Sequence, residues 1–510
     1  MSTAAPESKI PTLDETRERY TALGQYDFVV PGGGHGAASV CRALLDRDYT
    51  VAGVANPIDE GGHSAGIRWD MRRYLGYWPV IPGDTMNLLG GGFAHPALYA
   101  VVNSRLPKET GGRKAPELFS AAVDAVAAKR PASDRPVLEA FQRFLSAIGE
   151  AVQEELVEPG LVKLPGASLQ NVLHVGTMVH AGAYRKGLEA VDEDRYLCGS
   201  WLLEREMLAA SKGRVIPMSF DKVTLVTQHA GGRKVVGGIN RLLLARGPDG
   251  ALEYGGMVPN FMLPDAPPES AEEELRKLKA AKVVDWYAAE VVHGPADQNF
   301  NDDWVFQEVR PVTPRVNPEL VRVLRSIKPG GSIVIPPGNA HESTYTFFVL
   351  GGLWEELQAA KARGVRVVLV CNPVNLLLTA GYSVEDYLGA IEQALGRASG
   401  HKLRAAEIID RVVVNDPSAC SEKVQRVMRG EGVPREVKQV LLHRTPTGPI
   451  CLSKDEKSRL EGQGIEVVER AMLSVETISI RGIETEAISY SKNMLVDAIA
   501  GAASGAPARG

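Results

Sequence analysis

No stretch of this sequence is apolar for long enough to cross a lipid bilayer. The longest apolar runs, such as Val365 to Val374, are short and interrupted, whereas a spanning helix takes about 20 residues. The first twenty residues are polar and mixed in charge, without the apolar segment of a secretory leader. These absences lead to the expectation of a soluble, cytoplasmic protein that does not engage a membrane. Cysteine is scarce as well. Cys41, Cys198, Cys371, Cys420 and Cys451 are far apart and form no C-x-x-C pair, so neither a zinc knuckle nor a redox dithiol is indicated. Buried free thiols in a reducing compartment are the expectation. Positive charge is not in excess: 57 Lys and Arg face 62 Asp and Glu, for a net charge of -5. No broad basic field is available to attract a nucleic-acid backbone, and no H-E-x-x-H zinc pair occurs.

The 510 residues are 44% hydrophobic and 23% charged, an ordinary globular mix. A chain of this length buries a large core without disulfides or structural metal. Residues 1–25 read as a loosely held arm. Tyr26 to Val30 is a short apolar run typical of a buried strand. It meets Pro31-Gly32-Gly33-Gly34-His35-Gly36. A helical pattern follows, with Val40, Leu44 and Leu45 on one face, and then a second strand from Thr50 to Ala55. Strand, glycine turn, helix and strand make a βαβ unit, and such units imply a parallel sheet with helices on both faces.

The segment from Gly61 to Gly92 is rich in glycine and polar residues, and long loops in compact domains are usually functional. Residues 115–156 read as two amphipathic helices separated at Arg130 to Asp134. Residues 172–190 read as helix, and strands are expected at Val215 to Pro217, Lys222 to Thr227 and Lys234 to Val236. The proline-rich segment 258–270 leads into an expected charged helix from Ser270 to Val292. Helices near 316–327, 350–363 and 383–397 alternate with strands at 332–335, 365–371 and 408–414, the pattern of further parallel units. The fold expected is α/β, with a Rossmann-like core over 26–415. Insertions at about 103–160 and 255–315 are placed over the site or at an oligomer interface. Residues 416–500 complete the core, and 501–510 form a flexible tail.

Three features carry chemistry. The glycine turn lets backbone N–H groups face an anion, and the helix after it adds its positive end. Gly34-His35-Gly36-Ala37-Ala38-Ser39 misses G-x-G-x-x-G only at its last position, in the strand-to-helix context that motif requires. The alternative is a tight turn that holds no ligand. A dinucleotide fold would next place an acid at the tip of the second strand; here that tip is Asn56-Pro57-Ile58, and Asp59-Glu60 comes later, in loop. The fit to an NAD-dependent oxidoreductase, a remote alternative, is poor. A better fit is acids beside phosphates holding a divalent cation. Asp84, in Pro82-Gly83-Asp84-Thr85-Met86-Asn87, is a second carboxylate of the same region, and two carboxylates beside a diphosphate make an Mg²⁺ site. Asp84 also reads as a cap on a helix starting at Met86, and the two roles are compatible. The third feature is Pro337-Gly338-Asn339, which like Cys371-Asn372-Pro373 follows an expected strand. In open parallel sheets the ligand crevice lies beyond the carboxyl ends of the strands, so all these segments are expected at one site. His35 and His63 lie in the site loops and could donate to phosphate, though each also reads as an ordinary loop residue.

Taken in order, these segments resemble the CofD/YvcK-like family. The resemblance runs through PGGGHG, NPIDEGGHSAG, PGDTMN, ASLQNVLHVG, VIPMSFDKVTLVT, IVIPPGN, VCNPVN and GYSVEDY, across most of 26–415. It implies a Rossmann-like fold and one of two activities. One branch of the family transfers a phospho-lactyl or phospho-enolpyruvyl group from a guanosine diphosphate-linked donor to a deazaflavin alcohol, with Mg²⁺. The other binds UDP-sugars and acts in regulation, without an established reaction. The resemblance places Asp59 and Asp84 on the metal, and Gly33, Gly34 and Gly36 on phosphates. It places Asn87, Asn171, Gly338 and Asn339 around nucleotide and donor, with Asn372 matching the UDP-sugar branch. The chain departs from the family in having Gly34-His35-Gly36 where G-T-G is usual, and in lacking the W-F-x-L-G-D-R-D stretch of the transferase branch. The expectation is a Mg²⁺-dependent phospho-group transferase using a nucleoside diphosphate-type ligand, with a UDP-sugar-binding regulator as the alternative. A homo-oligomer is plausible by resemblance only.

Overall fold

The computed structural model describes residues 10–22, 24–56, 71, 75, 79–80, 85–86, 88–160, 162, 164–207, 213–221, 223–229, 234–236, 243–245, 282–293, 306–375, 379, 381–431, 448–480 and 483–501. A helix, α1 (Leu13–Ala22), precedes β1 (Tyr26–Pro31), α2 (Gly34–Leu45) and β2 (Val51–Ala55). A helical stretch follows: α3 (Pro96–Val102), α4 (Ala115–Ala127), α5 (Arg135–Val152), α6 (Leu169–His180) and α7 (Glu193–Met207). The chain then re-enters the sheet as β3 (Gly213–Pro217) and leaves it for β4 (Thr224–His229), β5 (Lys234–Val236), β6 (Leu243–Ala245), β7 (Val283–His293) and β8 (Phe306–Pro311). Next come α8 (Pro318–Arg325), β9 (Ile327–Ile335), α9 (Leu353–Ala362), β10 (Arg366–Val370), β11 (Val374–Asn375), α10 (Val384–Ser399) and α11 (Ala405–Ile408). The C-terminal part holds β12 (Arg411–Asn415), α12 (Glu422–Met428), β13 (Gly448–Pro449), α13 (Lys454–Gly462), β14 (Glu466–Arg470), β15 (Leu473–Ile480), β16 (Ile483–Tyr490) and α14 (Lys492–Ala500).

Seven strands form one sheet in the order β14-β12-β10-β9-β1-β2-β3, every pairing parallel. The fold is therefore the α/β, Rossmann-like one expected from the sequence. Both faces are buried, and the strand residues divide between them at a period of two. Val30, Val51, Val334, Val368 and Val413 belong to one hydrophobic cluster. Val29, Ala52, Ile333, Leu369 and Val412 belong to the other. Helices α2 to α7 and α14 cover the first face. Helices α8 to α11 and α13 cover the second. The near-continuous apolar reading of these strands follows from that double burial.

From β1 the chain moves outward through β2 to β3; it then returns beside β1 as β9 and moves outward the other way. The strand order thus reverses between β1 and β9, and the crevice at their carboxyl ends is where such sheets hold ligands.

Four expectations change. Residues 13–22 are not a loose arm: α1 packs on α7, and the buried Thr16 hydroxyl, which donates to Thr12 O at 2.8 Å, lies 3.8 Å from Cys198 Sγ. The helices of 103–160 are not an added cover: Phe119, Phe141 and Phe144 are buried in the same cluster as Val30 and Leu44. The helix expected from 270 to 292 is, over its described part, the strand β7. Val283, Trp286 and Ala288 are buried while Val284 and Glu290 are exposed, a half-buried strand read from the sequence as a charged helix. With β4, β5, β6 and β8 it builds a second, antiparallel sheet in the order β6-β5-β4-β7-β8. The strands expected at 222–227 and 234–236 correspond, over their described residues, to β4 and β5 of that sheet. Four cysteines are buried as expected, but Cys451 is exposed. Among the described residues no helix is long and apolar enough to cross a membrane. The tail 502–510 lies outside the described residues.

Candidate functional site

The turn after β1 is built from glycine for two different physical reasons. Gly32 and Gly34 have φ of 126° and 67°, a region that side chains with a Cβ avoid. A Cβ added to Gly34 would meet no atom of the described residues within 4 Å. A Cβ added to Gly36 would lie 1.8 Å from the carbonyl oxygen of Pro337. Gly36 is therefore glycine because the loop after β9 presses on it. Helix α2 starts at Gly34 with Gly33 as its N-cap, and no side chain caps it. Its first-turn N–H groups have no partner within the helix, and the helix end carries partial positive charge. His35 is exposed on this first turn.

The loop after β9 is held from several sides. Asn372, just beyond β10 and 6% exposed, accepts a hydrogen bond from Gly338 N at 2.6 Å and donates Nδ2 to Gly338 O at 2.6 Å. Gly338 has φ of 157°, close to extended. Asn339 donates its side-chain amide to the Glu342 carboxylate, and Asn56, at the tip of β2, donates to the Glu342 backbone carbonyl. The buried His341 shares a 3.1 Å hydrogen bond with Tyr382 Oη.

The tips of β1, β2, β9 and β10 thus touch one another. Of the residues singled out from sequence, Gly33, Gly34, His35, Gly36, Gly338, Asn339 and Asn372 are brought to this one edge. Asn171 is buried in the first turn of α6, which packs mainly on α3, α5 and α7. Asp59, Asp84, Asn87 and His63 lie outside the described residues. Glu342 was not anticipated. Its only signal in the sequence is a carboxylate three residues after Asn339, in the loop beyond a buried strand. Cys371 lies beside Asn372, and burial pushes its thiol pKa up, so it is not a thiolate nucleophile at neutral pH.

Side-chain oxygens dominate what the described part of this edge offers: the Glu342 carboxylate and the amides of Asn56 and Asn339. Oxygen donors suit a hard cation such as Mg²⁺ better than a thiophilic metal. Among the described residues no group of three His, Cys, Asp or Glu stands close enough to hold a metal by itself.

Comparison with protein families gives a match over residues 203–444 to the family described as 2-phospho-L-lactate transferase CofD. The matched span holds β9, the Gly338–Asn339 loop and Asn372 but not the glycine turn. No curated protein matches. Among solved structures the chain resembles protein BH3568 from Bacillus halodurans, with a TM-score of 0.51, 16% identity, and coverage of 93% of this chain and 99% of the other. A second structure of that protein, described as a member of the UPF0052 family, gives a TM-score of 0.50 at 16% identity, with 92% and 98% covered. At that identity the likeness is one of fold.

Proposed function

We propose that the chain belongs with the CofD/YvcK-like family, whose transferase model matches residues 203–444, and that it is a Mg²⁺-dependent transferase acting on a nucleoside diphosphate-linked phospho-acid. The observation that carries the reading is the meeting of the uncapped α2 N-terminus with the Gly338–Asn339 loop where the strand order reverses. Backbone N–H groups of the α2 first turn face the diphosphate, and Gly34 has no Cβ to obstruct it. Asn339 borders the nucleotide and donor. Asp59 and Asp84 would hold the cation, which would supply positive charge against the phosphates.

Chemistry at this site is one of position. An acceptor hydroxyl attacks the phosphorus of the transferred group in line. A new P–O bond forms as the bridging P–O bond to the nucleoside phosphate breaks, and the hydroxyl proton leaves to solvent or a nearby carboxylate. Such a displacement needs orientation and charge stabilisation more than a covalent intermediate.

The second reading, a UDP-sugar-binding regulator without turnover, is favoured by one observation: the W-F-x-L-G-D-R-D stretch of the transferase branch is missing from this chain. A thermal-shift panel of GDP, UDP-sugars and NAD, with and without Mg²⁺, tests both. A ligand at a hundred times its dissociation constant adds about 2.7 kcal/mol. GDP preference that depends on Mg²⁺ supports the transferase, and a UDP-sugar preference without turnover supports the regulator. Stabilisation by neither, or by NAD alone, rejects both.

A further inference from the structure

The side chain of Asn372 has little left to offer a ligand. Both ends of its amide are engaged with the protein: Oδ1 accepts from Gly338 N and Nδ2 donates to Gly338 O, each at 2.6 Å. One planar group thereby pairs both polar atoms of a single backbone residue, as a neighbouring strand would. The pairing falls where β9 has already ended, at Ile335, so no sheet ladder holds Gly338. A second set of contacts orients the clamp itself. Tyr387 Oη lies 3.4 Å from Asn372 Nδ2 and donates to Asn375 Oδ1 at 3.0 Å. Asn375 Nδ2 donates to Tyr382 O at 2.8 Å. The Tyr382 hydroxyl donates to Val283 O on β7 at 2.9 Å. Its single proton is used there, so the His341 contact at 3.1 Å has Nε2–H donating to Tyr382.

We propose that Asn372, backed by Tyr387, Asn375 and Tyr382, is a positioning residue that fixes the Gly338–Asn339 turn against Gly36 and so sets nucleotide affinity without touching the nucleotide. The proposal rests on the functional reading above for its consequence, but not for its geometry. The loop is gripped at two points, Gly338 by Asn372 and His341 by Tyr382, and between them Asn339 is presented to the crevice. All the gripping groups are buried, where hydrogen bonds are strong and an unmade one is costly. Since Tyr382 is in turn fixed to β7, the antiparallel sheet helps set the shape of an edge that belongs to the parallel one.

The test uses the full chain with Asn372→Ala and Tyr387→Phe, and Arg411→Met as a control. Arg411 is also buried but lies at the first residue of β12, the opposite end of the sheet. Hydrogen exchange of peptides covering 336–344 is read first. Exchange should accelerate there in Asn372→Ala, and less in Tyr387→Phe, while Ile333 to Ile335 keeps its protection. Unchanged exchange over 336–344 overturns the clamp whatever the protein binds. Affinity for GDP with Mg²⁺ and for a UDP-sugar is read second, at a temperature where every variant is folded. A loss of about tenfold or more in Asn372→Ala, a smaller loss in Tyr387→Phe and none in Arg411→Met is expected, since displacements of about 1 Å carry effects of that order. Equal losses in all three variants, or none in Asn372→Ala, overturn the positioning role. If the unaltered protein binds neither nucleotide, the functional reading and the affinity role fall together, while the exchange result still decides the clamp.

Discussion

Replacing Gly36 by alanine tests the geometry of the strand-tip edge with the smallest possible change. The added methyl would stand 1.8 Å from Pro337 O, where real contacts essentially never fall below 3.0 Å. Either α2 or the Pro336-Pro337-Gly338 segment has to move by more than about 1 Å. The obstacle is backbone, not the end of a flexible side chain, and the two 2.6 Å hydrogen bonds from Asn372 to Gly338 resist the shift. Overpacking of this kind costs about 1–3 kcal/mol, and weakening two buried hydrogen bonds adds about 1 kcal/mol each. The expected loss is therefore about 3–5 kcal/mol in stability. Misplacement of the crevice by about 1 Å also lowers nucleotide affinity by up to about 100-fold. Gly34→Ala is the comparison: its methyl meets no atom of the described residues within 4 Å, and the left-handed φ of 67° opposes it, at about 1–2 kcal/mol. Chemical denaturation and isothermal titration of the two variants provide the readout. If Gly36→Ala unfolds like the parent and binds nucleotide equally well, the close approach of Gly36 to Pro337 does not exist and the shared edge loses its main support.

Three further outcomes are expected. His174 is buried against Tyr196, and burial lowers its pKa from 6.5 to about 3. The unfolded chain binds a proton below pH 6.5 that the native state refuses, so stability falls as pH drops from 6.5 toward 3, by about 2.5 kcal/mol between pH 7 and 4.5. Urea titrations at both pH values should show that difference shrinking in His174→Gln; an unchanged pH dependence refutes the assignment. Arg411, 3% exposed, donates to Ile499 O at 2.8 Å and Ala498 O at 3.4 Å near the α14 C-terminus, and to Glu466 at 2.8 Å. Arg411→Met should cost about 2–3 kcal/mol and free the C-terminal helix to proteolysis, and resistance equal to the parent's would remove that capping role. Asp59→Asn should abolish the Mg²⁺ dependence of nucleotide binding in a thermal-shift assay while leaving the ligand-free transition in place; metal dependence that persists takes Asp59 out of the metal site.

The parts of the fold legible in the sequence were those set by local periodicity. Tyr26 to Ala55 announces strand, glycine turn, helix and strand, because an apolar run bounded by glycine and followed by a one-sided helical pattern has few other solutions. The alternating units from 316 to 414 are legible for the same reason. β7 was not, since its mixture of charge and apolar residues suits a helix in isolation and becomes a strand only when β4 and β8 flank it. The helices at 115–152 were legible as helices but not as core, because nothing local tells whether Phe119 and Phe141 face the sheet.

The site divides in the same way. The sequence by itself determined that a glycine turn enters a helix after a buried strand, since only residues free of a Cβ take φ of 67° at Gly34 without strain. It also determined that Gly338, Asn339 and Asn372 follow buried strands. Tertiary structure alone decided what these residues touch. Asn56 meets Glu342 across 286 residues of chain, and Asn372 meets Gly338 across 34. Gly36 proves to be glycine for the sake of Pro337. Contacts between distant segments depend on which strands become neighbours. That order, with its reversal between β1 and β9, is a property of the packed sheet and not of any window of sequence.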